Sequence, residues 1–131
     1  MQTINRHVRV SLVVLLLICA GMLLPRLVDT REAIREVRIT ARDMSFRVEE
    51  IGEPNPSLAL MAGEQVKVTF RNEDRGMLHD FSIPEWNVRT GSVEWGTERS
   101  ITFRVPTNAA TLSYICTPHS AMMSGRIIVS K

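Results

Sequence analysis

The chain has 131 residues, 44% of them apolar and 23% charged, with a formal net charge of +2. That is room for one domain and a short appendage, not for two cores. The positive excess is Arg6 and Arg9, because from Arg26 onward 14 basic residues face 14 acidic ones; the body of the chain lacks the basic surplus with which a nucleic-acid binder neutralises phosphates.

In chain order, Arg6-His7-Val8-Arg9 is followed by VSLVVLLLICAGMLL, 15 residues from Val10 to Leu24 without a charge, and then by Pro25-Arg26. A basic flank before an apolar run begins a secretory signal or a signal anchor. As a helix the run rises roughly 22 Å against a hydrocarbon core of roughly 30 Å. Leu27 and Val28 extend it, with Arg26 snorkelling. No clean small-x-small cleavage site precedes Pro25, and Cys19 follows Ile18 where a lipidated cysteine would follow a small residue. Residues 1–28 are therefore expected to be an uncleaved anchor with its N-terminus in the cytoplasm, entering the membrane through residues 10–28. A cleaved signal peptide is the rival reading. A buried helix of a soluble domain is disfavoured, because the arginine flank would then have no role. Both favoured readings export the domain to the periplasm or the extracytoplasmic face of the cytoplasmic membrane.

The alternating charges of DTREAIREV predict a short helix or stalk over residues 29–36. From 37 to 131 strand signals dominate. Val37, Ile39 and Ala41 alternate with polar residues, and Phe46 and Val48 are read as continuing that strand after a break at Asp43. Gly52 to Pro56 is loop chemistry. Ala62-Gly63-Glu64 is a turn between SLALM and the cleanest strand of the chain, which puts Val66, Val68 and Phe70 on one face. Asn72 to Gly76 is a polar turn. His79 opens a further apolar run. Ile101, Phe103 and Val105 alternate up to Pro106; Leu112, Tyr114 and Cys116 share a face; RIIVS closes the chain. Short strands at this spacing predict an all-β sandwich or barrel.

The segment YICTPHSAMMSG, Tyr114 to Gly125, gathers two sulfur types and an imidazole. Cysteines in an exported domain usually pair, yet the other cysteine, Cys19, lies in the apolar run, and metal ligation explains the leftover thiol of Cys116. Of three histidines in the chain, His7 precedes the apolar run, so His79 and His119 remain. Taken singly, His79 reads as a structural histidine, Cys116 as a small buried hydrophobe and the methionines as core filler. Taken together, two imidazoles, one thiolate and a thioether form a soft, low-symmetry donor set that favours copper and electron transfer.

ICTPHSAMMSGRIIV resembles the C-terminal ligand loop of the cupredoxins, the small blue copper proteins such as plastocyanin, azurin, amicyanin and pseudoazurin. MAGEQVKVTFRNED and LHDFSIP are similar to the family's strand–turn–strand leading to its first histidine ligand, so the resemblance spans about Val37 to Val129. It implies a Greek-key β-sandwich holding one type 1 copper per chain, with His79, Cys116 and His119 as equatorial ligands. The axial ligand it implies is Met123 by the azurin-like register, or Met122 by the amicyanin-like one. The family often has Asn after its first histidine, hydrogen-bonded to the Ser or Thr that follows the cysteine; this chain has Asp80 and Thr117 there. The resemblance also makes His119 the electron exit, within an apolar patch of Pro118, Ala121 and Met122, with Met77 and Pro84 at the rim, where redox proteins dock. Trp86 and Trp95 are expected to serve packing or loop structure.

The reading that follows is a membrane-tethered electron carrier, with an envelope copper-binding or copper-delivery protein as its alternative. An enzyme is not expected and no small-molecule substrate is implied, because further catalytic copper sites are built chiefly of histidine, and His79 and His119 are already used. A binuclear copper centre would need two cysteines around a short loop, and only Cys116 is there. A metal-free structural domain is disfavoured, since every ligand type is retained.

Overall fold

Alternating apolar residues become the inner faces of two sheets in a computed structural model that describes residues 32–49 and 51–131. The expected anchor and the first residues of the expected stalk lie outside the described residues. Among the described residues no helix is long and apolar enough to cross a membrane.

The strands are β1 (Ile34–Arg42), β2 (Ser45–Val48), β3 (Leu58–Met61), β4 (Gln65–Asn72), β5 (Ser82–Ile83), β6 (Val88–Arg89), β7 (Glu98–Arg104), β8 (Ala110–Ile115) and β9 (Ser124–Ser130). One sheet has the order β2-β1-β4-β7 and the other β3-β9-β8-β5-β6. The pairs β1–β4 and β3–β9 are parallel, which requires the chain to cross between sheets rather than run as a meander. The core lies between the inner faces, where Ile39, Val66, Val68, Phe70, Ile127 and Val129 are buried.

Two expectations are corrected. Residues 34–36 are not stalk: β1 starts at Ile34, paired in parallel with Gln65 of β4. Phe46 and Val48 do not continue β1 either. They form β2, which returns antiparallel with Arg42 opposite Ser45. Asp43 and Met44 have φ of 53° and 54°, the left-handed pair that a tight two-residue hairpin needs to match the strand twist. The break at Asp43 reverses the chain.

An aromatic cluster centred on Phe46 fills the middle of the sandwich, with Phe70, Phe81 and Tyr114 at centroid distances of 6.0, 6.0 and 5.1 Å. Such edge-on and tilted pairs each add about 0.5–1.5 kcal/mol beyond their burial. The Tyr114 hydroxyl donates to the carbonyl of Pro56 at 2.6 Å, which satisfies the one polar atom of a buried ring. Trp86 packs on Phe103 with centroids 5.9 Å apart, and Arg75 stacks on Trp95; both tryptophans serve packing and loop structure, as expected.

Candidate metal centre

His79 sits on the connection between β4 and β5. Its backbone exchanges hydrogen bonds with Val93, donating at 3.3 Å and accepting at 2.7 Å. Buried Asn72 braces the preceding loop: its amide donates to the carbonyls of Met77 and Val93 at 2.8 and 2.9 Å. Cys116 leaves the end of β8, and Pro118 helps turn Thr117–His119 into a single 3-10 turn. The loop then closes on itself. The His119 amide donates to the Cys116 carbonyl, the Met123 amide to the His119 carbonyl, and the Cys116 amide back to the Met123 carbonyl, at 3.1, 2.8 and 3.0 Å.

These two segments bring three donor atoms together. His79 Nδ1 and His119 Nδ1 are 3.1 Å apart, and Cys116 Sγ lies 3.5 Å from the first and 3.6 Å from the second. The centre of that triangle is about 2.0 Å from every corner, close to the length of a bond from a first-row metal ion to imidazole nitrogen or thiolate sulfur. The donor set therefore fits a metal without rearrangement. The adjacent methionines point opposite ways: Met123 is fully buried and Met122 is 59% exposed. This favours Met123 as the thioether beside the triangle.

Burial pushes the Cys116 thiol up to about 11, against the backbone N–H groups of Asp80 and His119, which favour the thiolate. A neutral thiol is thus held until a metal displaces its proton. Burial likewise lowers the pKa of His79, with Asp74 opposing and His119 reinforcing that shift. Asp80 is buried as well, and its two oxygens accept from the amide and the hydroxyl of Thr117 at 2.5 and 2.7 Å. This Asp80–Thr117 bridge joins the two ligand segments.

The model of a family described as copper binding proteins, plastocyanin/azurin family, matches residues 36–130. The chain belongs to that family. As a cupredoxin it takes copper as its cofactor, and the His79, Cys116, His119 and Met123 set is of the type 1 kind. Among solved structures it is similar to rusticyanin from Thiobacillus ferrooxidans, with 28% identity over 74% of this chain and 77% of that one and a TM-score of 0.57. Auracyanin A, a blue copper protein from the green thermophilic photosynthetic bacterium Chloroflexus aurantiacus, shares the fold at 18% identity, over 75% of this chain and all of that one, with a TM-score of 0.61. A chain of a heme-copper terminal oxidase dimer also shares it, at 16% identity and a TM-score of 0.61, over 95% of this chain and 97% of that one. No curated protein sequence matches.

In this cupredoxin, sequence reasoning missed Asp74, whose Oδ2 lies 3.0 Å from the Nε2 of His79. It was read only as part of a polar turn, and a carboxylate five residues before a ligand histidine is the signal that was available. The carboxylate at position 80 carries a prediction of its own. Asp80→Asn keeps an acceptor for the Thr117 amide but removes a negative charge near the metal. At an effective dielectric of about 20, two unit charges about 7 Å apart interact by about 2–3 kcal/mol. The variant should raise the reduction potential by on the order of 100 mV, which voltammetry would read. An unchanged potential would mean that the Thr117 donors already cancel the charge.

Proposed function

We propose that this protein is an electron carrier with one type 1 copper, exported and held at the outer face of the cytoplasmic membrane by its N-terminal segment. The observation that carries the electron-transfer reading is the compact His79–Cys116–His119 triangle, with Met123 buried beside it. Copper bound there supplies a one-electron couple between Cu(I) and Cu(II). Fast transfer requires ligands that do not move between the two states. His79 is braced by Asn72 and Val93, and the Cys116–Met123 loop is closed by its own backbone hydrogen bonds.

His119 is the partly exposed member of the three; His79 and Cys116 are fully buried. We assign it as the electron exit, with exposed Pro118, Ala121 and Met122 around it and exposed Met77 and Leu78 preceding the other histidine ligand. An apolar surface of this kind suits brief encounters with redox proteins, and the balanced charge from Arg26 onward gives no strong long-range steering. Burial of Cys116, His79 and Met123 argues against copper delivery, which calls for exchangeable, accessible ligands. The tether and the export both rest on the arginine-flanked apolar run.

The test is a Cu(II) titration of the full chain in mild detergent, followed in the visible spectrum. The expected result is an intense thiolate-to-copper band that saturates at one equivalent and that bleaches and returns on reduction and reoxidation. Copper bound without that band would end the carrier reading and bring copper handling forward.

A further inference from the structure

Asp74 occupies a junction between the metal centre and the β1–β2 hairpin. Its Oδ1 accepts from the amide of Asp43 at 2.7 Å, and its Oδ2 accepts from the amide of Met44 at 3.0 Å. The same Oδ2 lies 3.0 Å from His79 Nε2. The Asp74 amide in turn donates to Asn72 Oδ1 at 2.9 Å, and the neighbouring Glu73 amide donates to the carbonyl of Ala41 at 2.9 Å. The Asp74 side chain is only 15% exposed and the His79 side chain 0%, so this contact is largely shielded from water.

An ionised carboxylate can only accept hydrogen bonds. A carboxylate oxygen at 3.0 Å from Nε2 therefore requires the ring proton to be on Nε2. That leaves the Nδ1 lone pair bare, and Nδ1 is the atom facing Cys116 Sγ and His119 Nδ1. The hydrogen bond made by one imidazole nitrogen decides what the other can do. Asp74 is itself held by two amides of a turn whose residues both have left-handed φ, so its oxygens cannot swing to suit a rotated ring.

We propose that Asp74 is the positioning residue of the metal centre: it selects the His79 tautomer that leaves Nδ1 free, fixes the ring plane, and couples both to the Asp43–Met44 turn. The inference rests on His79 being a copper ligand, but its first readout needs no copper. In the metal-free full chain in mild detergent, with histidine labelled by 15N, the His79 ring should show the proton on Nε2. The chain has three histidines, which keeps the spectrum assignable.

Asp74→Ala should convert that single tautomer into a mixture and weaken Cu(II) binding by roughly 10–100-fold, the usual effect of losing a group that orients a metal-ligating histidine. Asp74→Asn, which keeps an acceptor and serves if the alanine variant does not fold, should weaken binding less and raise the reduction potential. An Asp74 that merely staples the turn would lower the melting temperature of either variant and leave tautomer, affinity and potential as they were; that result overturns the proposal. Should wild-type protein lack the blue band while the tautomer still depends on Asp74, the electron-carrier reading fails and the positioning role stands.

Discussion

Cys116→Ser should abolish the thiolate-to-copper band and the redox activity proposed for the site, while leaving the domain folded. The intense absorption of a type 1 site belongs to the thiolate–copper bond, and a serine hydroxyl is neither soft nor ionised near neutral pH. Copper affinity should fall by more than the roughly 10–100-fold that loss of an orienting partner brings, because a ligand itself is removed. Fold is preserved because the substitution keeps the shape of a fully buried small side chain. The backbone amide of Asp80 beside the sulfur can face a hydroxyl oxygen instead. A Cu(II) titration and a thermal melt of the same variant check both halves. Persistence of the band would place the thiolate ligand elsewhere and sink the site assignment.

Gly125→Ala has the largest expected effect on stability. Gly125 is paired with Tyr114 across β8 and β9, and a Cβ built there would overlap the phenol carbon and hydroxyl of that ring. Gly125 does not have a left-handed φ, so conformation alone would make alanine mildly stabilising. Steric overlap decides the outcome instead. Tyr114 is fully buried, hydrogen-bonded to Pro56 and packed between Phe46 and Phe81, so its ring has nowhere to go. Overpacking of this sort costs about 3 kcal/mol or more at the severe end. For a domain of this size that lowers the melting midpoint by roughly 10–25 °C. β9 would be pushed from β8 next to the point where the Cys116–Met123 loop joins them, so copper binding should suffer too. A melt within a few degrees of wild type would show that the aromatic cluster yields, contrary to its close packing. Gly63→Ala is the contrast: its φ is 82° but nothing lies within 4 Å of the added carbon. Its penalty is backbone strain alone, about 1 kcal/mol.

By itself the sequence determined the β class, most strands and the metal chemistry. Period-two alternation is a direct imprint of one buried and one wet sheet face, and Val66, Val68 and Phe70 are buried as their spacing predicts. The ligands were legible because the donors are few: two histidines after the apolar run and one cysteine, with a local Cys-x-x-His spacing. Only the tertiary structure decided the rest. The start of β1 is invisible in sequence because Ile34, Arg35 and Glu36 are all exposed, and it is their pairing with β4, not burial, that makes them a strand. Met122 and Met123 are chemically identical neighbours, and only the loop's closure turns one inward. Asp74 looks like any turn carboxylate until folding brings it to Asp43, Met44 and His79 at once. A hydrogen bond between residues 31 positions apart, as between Asp43 and Asp74, leaves no periodic trace, because it depends on where two loops end and not on how either one is patterned.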